Sequence, residues 1–223
     1  SLLVRTSNMK KNIAIIGSGF SSLSAACYLA KKGHNITVYE KNSDLGGRAR
    51  QFKANGFTFD MGPSWYWMPD VFEKFFNDFN KSSKDYYQIE KLNPAYRVYF
   101  GMEDYIDIED NIEKISDKFE KIEFGSGEKL KKFLSKAKEN YNIGVSDMLY
   151  KMPGLSPLEL VSLKTIKKIR YFISTIRKEV HRDFKNPKLR SVLEFPVLFL
   201  GAKASNTPAF YNFMNYADFG LGT

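Results

Sequence analysis

Asn12-Ile13-Ala14-Ile15-Ile16-Gly17-Ser18-Gly19-Phe20-Ser21-Ser22 decides how this chain begins to fold. Asn12 to Ile16 is a short β-branched run stopped by Gly17, the pattern of a buried parallel strand. Beyond the turn, Leu23, Ala26, Cys27, Leu29 and Ala30 recur at helical spacing, and Gly33 closes that helix. Asn35 to Tyr39 reads as a second strand, ending at Glu40. Strand, glycine turn, helix, strand and acidic residue together make the βαβ dinucleotide-binding unit.

Each position has a physical reason. Gly17 permits the tight turn out of the strand, and Gly19, lacking a side chain, lets backbone N–H groups approach a pyrophosphate at the positive end of the helix. Gly17, Ser18, Gly19, Phe20 and Ser21 are therefore the candidate phosphate cradle. Glu40 lies 21 residues after Gly19, where a carboxylate can accept both ribose hydroxyls of an adenosine, with Lys41 beside it. A 2′-phosphate would be repelled there, which argues against an NADP site. Ser22 stands in place of the third glycine, the mildest replacement at a point of close helix–strand packing.

Asp44-Leu45-Gly46-Gly47-Arg48 follows within a few residues. Its adjacent glycines let the chain pass close to a ligand, and Arg48 can reach phosphates with a charge-assisted fork. Next, Gly56 to Ser64 reads as a hairpin strand running through Met61 into the rigid turn Gly62-Pro63-Ser64. Alone, that second piece is equally the pattern of an ordinary hairpin.

Glu40 to Arg50 and Phe59 to Ser64 resemble the FAD-binding signature shared by amine oxidases, protoporphyrinogen oxidases and carotenoid desaturases. The resemblance implies that Glu40 binds the adenosine ribose, that Arg48 binds the pyrophosphate, and that Met61 to Ser64 run past the isoalloxazine. Leu92 to Arg97, Leu193 to Gly201, Asn206 to Ala209 and Asn215 to Asp218 resemble bacterial phytoene desaturases, so the likeness runs from about Met9 to Thr223. It implies an α/β fold: an incomplete Rossmann-type FAD-binding domain over 9–85, and an inserted α+β substrate domain over 86–223 with a helical membrane-contact region at about 109–190. The activity implied is hydride removal from an apolar polyene, such as a carotenoid precursor, onto FAD. Members of the family are roughly twice this length. The chain is thus expected to be a truncated part, to bind FAD poorly alone and to lack turnover, with catalytic residues unassigned. A carotenoid isomerase, a hydroxycarotenoid desaturase or an amine oxidase of the same fold is the alternative; a non-catalytic, membrane-binding nucleotide module is the alternative of another class.

The remaining sequence adds detail. Trp65-Tyr66-Trp67 is either core packing or an aromatic wall beside the flavin. Met68 to Phe79 reads as an amphipathic helix, and Tyr86 to Leu92, Tyr96 to Phe100 and Tyr105 to Ile108 as antiparallel strands. Glu109 to Tyr141 reads as two surface helices with a solvated charged face. Ser156-Pro157-Leu158-Glu159 starts a long helix expected to run toward Phe184, with Ile166, Ile169, Phe172, Ile173, Ile176 and Val180 on its apolar side. Asn186-Pro187 and Thr207-Pro208 are two further helix starts.

The net charge is +9, and Lys151 to Arg190 holds eleven Lys/Arg against three Asp/Glu. A basic amphipathic helix over 156–184 is either a membrane-surface contact or a helix packed on its own domain; nucleic acid is not an expected partner. The expected location is the cytoplasm, at the inner face of the cell membrane. Cys27, the one cysteine, is expected to be buried and apolar in a reducing compartment. One cysteine with two histidines leaves no zinc site, and His34 and His181 read as surface residues. Ser1 to Asn8 read as cloning residue or upstream readthrough, with Met9 as the native start.

Overall fold

The computed structural model describes residues 9–62, 65–149 and 168–222. Ser1–Asn8, Pro63, Ser64 and the helix start at Ser156-Pro157 lie outside the described residues. The chain divides into two units: one holds the residues up to Tyr66 with Glu73–Lys81, the other Trp67–Phe72 with the residues from Ser82 onward. The sequence drew a single boundary after residue 85, whereas Trp67–Phe72 pack with the second unit.

In the first unit, β1 (Asn12–Ile16) and β2 (Asn35–Tyr39) pair in parallel, from Asn12 opposite Asn35 to Ile16 opposite Tyr39. Helix α1 (Phe20–Lys31) connects them. Gly33, at φ +90°, donates its N–H to Ala30 O at 2.8 Å and closes the helix as expected. The strands are not buried, however. A parallel sheet is buried when helices cover both faces; here α1 packs on the pair, but Ile16 is still 80% exposed. Cys27 is likewise exposed, contrary to expectation, because it lies on a face of α1 that no described element covers. Tyr28, on the same helix, packs edge-on against Phe75 and donates its hydroxyl to Asp78 at 2.6 Å.

A hairpin follows, with β3 (Arg50–Ala54) antiparallel to β4 (Phe57–Met61). Its two-residue loop is Asn55-Gly56, both at positive φ, the backbone that a tight hairpin turn demands. Cross-strand partners Phe52 and Phe59 stack at 6.3 Å on a face left open to water.

Helix α2 (Pro69–Asn77) falls where amphipathic spacing placed it, inside Met68–Phe79. In the second unit, β5 (Tyr96–Tyr99) and β6 (Tyr105–Ile108) form an antiparallel pair. Tyr86–Leu92 is not a strand: β5 and β6 pair only with each other, so that segment has no ladder partner. Helices α3 (Ile112–Ile122) and α4 (Ser126–Tyr141) are more than surface helices. Their outer faces are charged, but Ile115, Phe119, Leu130 and Ala137 on the inner faces are fully buried. Charge dominates the composition of both segments, while the narrow apolar stripe decides where they sit.

The long helix expected to reach Phe184 is broken. Among the described residues it is α5 (Ile169–Ile173) and α6 (Ile176–Asp183), separated by the extended residues Ser174 and Thr175. The break is stitched to another segment: Ile176 N–H donates to Thr207 O at 3.0 Å, and Ala209 N–H to Ser174 O at 2.8 Å. Thr175 Oγ1 then caps α6 by accepting from Lys178 N–H at 3.3 Å. Ile176 and Val180 are buried in the unit's own core, so that half of the helix packs on its own domain.

Asn186 caps α7 (Pro187–Glu194), with Pro187 in the first turn, as the sequence indicates. Phe195–Leu200 continues as a 3-10 helix ending at Gly201, at φ +66°. After Pro208, a 3-10 turn at Ala209–Asn212 leads into α8 (Phe213–Phe219). Thr207 does not cap it; its hydroxyl donates instead to Lys203 O at 2.9 Å. Phe184 stands edge-on to both Phe119 (6.1 Å) and Phe133 (6.4 Å), tying α3, α4 and the end of α6 into one core.

Candidate functional site

All of the cradle lies within the first unit. Gly17, at φ +91°, turns the chain out of β1, and its N–H donates to Tyr39 O at 2.7 Å, fixing the turn to the end of β2. Gly19 is the N-cap of α1, with an extended backbone at φ −69° and ψ 170° that any residue adopts. A Cβ there would meet no atom within 4 Å. Neither backbone nor packing in this chain therefore demands glycine at 19; what glycine preserves is open space before the helix terminus. No side chain caps α1, and no acidic residue stands in its first turn. The first-turn N–H groups of the helix thus face that space without a side-chain cap.

The double glycine closes one side of the cradle. Gly46 N–H donates to Ser18 O at 3.0 Å, and Gly19 and Gly46 form an isolated parallel bridge. Gly46 (φ +103°) could take no side chain, since a Cβ would fall 2.4 Å from Ala49 O. A Cβ on Gly47 would stand 3.1 Å from Gly19 Cα. Gly62, at φ +101°, brings the end of β4 against the same loop, where its Cβ would meet Arg48 O at 2.7 Å. Sequence-distant glycines are thus brought together by backbone contact. Beside them opens a cavity of about 530 Å³ lined by Asp44, Leu45, Ala49, Arg50, Gln51 and Lys53.

Glu40 has a partner that the sequence reading did not foresee. Its Oε2 accepts from Ser18 N–H at 2.8 Å and Ser18 Oγ at 2.7 Å; its Oε1 accepts from Asn42 N–H at 2.9 Å and Asn42 Nδ2 at 2.8 Å. The carboxylate latches the glycine turn to the end of β2. These hydrogen bonds, that from the Ser18 hydroxyl foremost, lower its pKa to about 2. The available signal was Asn42, two residues after the acid and of the type that bonds locally to backbone and neighbours.

The other expected residues are placed less tightly. Lys41, Arg48 and Ser21 are exposed, Phe20 is 57% exposed, and Met61 is 40% exposed at the end of β4. Pro63 and Ser64 lie outside the described residues. Trp65 and Tyr66 belong to the first unit. Trp67 belongs to the second and stands edge-on to Phe199 at 4.6 Å, which is packing. His34 accepts from Lys11 N–H at 3.4 Å, and His181 pairs with Glu194 at 2.9 Å. Among the described residues no group of histidine, cysteine and carboxylate side chains could hold a metal ion.

The profile of the NAD(P)-binding Rossmann-like domain matches residues 15–81, which contain the whole cradle. The chain is 38% identical over 216 residues to a carotenoid 3,4-desaturase of Haloarcula japonica, covering 95% of this chain and 43% of that protein. It is 32% identical over 208 residues to a 4,4′-diapophytoene desaturase (4,4′-diaponeurosporene-forming) of Staphylococcus haemolyticus, covering 90% of this chain and 40% of that protein. The chain therefore spans about two fifths of the length of these curated relatives. A solved putrescine oxidase variant shares the fold at a TM-score of 0.56 and 15% identity, over 95% of this chain and 42% of that one. The resemblance to carotenoid desaturases thus covers nearly the whole chain, and the first unit is α/β and Rossmann-like.

Proposed function

We propose that this chain forms the nucleotide-holding part of an FAD-dependent oxidoreductase that desaturates a long apolar polyene of the carotenoid-precursor class. One observation carries the cofactor reading: Gly19 is a glycine that neither the fold's backbone nor its packing requires, standing before an uncapped helix terminus. Such a place fits a pyrophosphate. The residues present suit the rest of FAD as well. Gly46, Gly47 and Gly62 keep side chains away from the cradle, and Arg48 supplies an exposed guanidinium on the same loop.

Glu40 would meet the adenosine ribose with Asn42 giving up its side-chain hydrogen bond, since all four lone-pair positions of the carboxylate are engaged within the chain. FAD, when bound, supplies the two-electron acceptor for a saturated C–H bond. The likeness to the desaturases of Haloarcula japonica and Staphylococcus haemolyticus supports an apolar polyene as the donor. The inserted substrate domain and the carotenoid it takes rest on that likeness alone.

We further infer a peripheral association with the inner face of the cell membrane, which would give access to a lipid-dissolved substrate. No helix among the described residues is long and apolar enough to cross a membrane. The described part of the basic stretch offers Ile169 (60% exposed) and Ile173 (77% exposed), one turn apart on α5.

The test is to supply FAD and lipid-dispersed phytoene to the protein, both as residues 1–223 and within its full reading frame. Lengthening conjugation appears as new visible absorption bands. Bands that depend on FAD and vanish in Glu40→Ala support the reading; absence of FAD binding by the full reading frame removes it.

A further inference from the structure

A second cavity, of about 380 Å³, lies wholly within the second unit, between α4, α5 and α6. Lys129, Lys132 and Lys136 reach it from successive turns of α4, Arg170 from α5 and Arg182 from α6. Its two acidic residues are already committed. Glu179, buried, accepts from Ser174 Oγ (2.9 Å), Arg182 Nη1 (2.7 Å) and Arg170 Nη2 (3.4 Å). Asp183 takes the Nε and Nη2 fork of Arg182 at 2.8 and 2.9 Å, which with the fields of Lys136 and Lys129 holds its carboxyl below the usual range.

The acids thus aim the two guanidinium groups, and three lysines remain. Lys129 is shared with Glu123 at 3.4 Å. Lys132 and Lys136 are exposed and form no ion pair among the described residues. Convergent ammonium groups repel one another, and an anion seated among them relieves that repulsion. Tyr171 and Phe133 complete the wall, so the ligand meets a partly apolar floor.

We propose that this cavity binds a phosphate group, gripped by Lys132 and Lys136 and oriented by Arg170 and Arg182. The flavin cradle lies in the other unit, and this inference stands whether or not the desaturase reading holds. Two sources share the chemistry: the headgroup phosphate of an anionic lipid, and a phosphate-bearing molecule in solution. Exposed Ile169 and Ile173, on the helix that supplies Arg170, would suit the acyl region next to a headgroup.

The experiment measures co-sedimentation with phosphatidylglycerol–phosphatidylcholine vesicles, and calorimetric titration with inorganic phosphate. It compares wild type, Lys132→Gln/Lys136→Gln, and a control of equal charge, Lys114→Gln/Lys121→Gln on the exposed face of α3. The pocket variant is expected to weaken binding by about thirtyfold, from two lysines acting near an anionic surface, with the control close to wild type. The single variants Lys132→Gln and Lys136→Gln should each lose about fivefold and guard against a folding defect in the pair. Loss confined to vesicles assigns a lipid headgroup; loss confined to phosphate assigns a ligand in solution. Equal losses in pocket and control variants, or no loss in the pocket variant, overturn the proposal.

Discussion

Two glycines in one cradle should respond oppositely to the same added methyl group. Gly46→Ala forces a side chain into φ +103° and against Ala49 O, so it should destabilise the chain by about 2 kcal/mol or more. Gly19→Ala meets open space at an ordinary φ and should cost less than about 1 kcal/mol of stability as an N-cap change. Its loss should fall on FAD affinity instead. Chemical denaturation and flavin titration of both variants separate the two effects; a Gly19→Ala protein that binds FAD as wild type does would contradict the cradle. Glu40 gives a second residue-level test. Its folded pKa of about 2 lies below the ordinary 4.5, so the stability it supplies is fully present above about pH 4.5 and is lost as pH falls toward 2. Ser18→Ala removes the largest cause and should move the Glu40 titration upward, as read by NMR of its side-chain carboxyl carbon. The sequence marks Glu40 and Gly19 as candidates by their spacing. It did not reveal the latch, because Ser18 and Glu40 meet only once β1 and β2 are paired.

Helix boundaries divide into those written in local chemistry and those imposed from a distance. Asn186-Pro187 was legible because cap and proline act on their own helix. Ser174-Thr175 was not, since apolar spacing through Phe172, Ile173, Ile176 and Val180 continues across the break. What interrupts the helix is backbone bonding to residues 204–209, some thirty positions away, with Arg177 N–H donating to Ala204 O at 3.1 Å. Thr175→Ala should therefore cost about 1 kcal/mol through the lost cap and fray α6 without merging it with α5. Hydrogen exchange at Lys178 checks this; an amide at Thr175 that becomes helically protected would refute it. The Tyr86–Leu92 alternation failed for a related reason: a strand needs a neighbour with free backbone groups, and no local pattern supplies one.

Across the whole molecule, the strongly basic composition hides where the core lies. The segments richest in lysine and glutamate, α3 and α4, contribute Phe119, Leu130 and Phe133 around Phe184. Phe184→Ala should cost about 3–5 kcal/mol, the range for an aromatic removed from a closed core, measured by denaturant unfolding. A loss under about 1 kcal/mol would mean that the cavity collapses freely. Open apolar surface elsewhere has a different consequence. Ile16, Tyr39 and the hairpin phenylalanines Phe52, Phe57 and Phe59 are each more than half exposed. To the machinery that surveys newly made chains, such surface is indistinguishable from unfinished folding. Holdase chaperones and proteases will therefore compete for the first unit for as long as those side chains stay wet. In a cell, the abundance of this chain should depend on how quickly they are covered as much as on how stably its second unit folds.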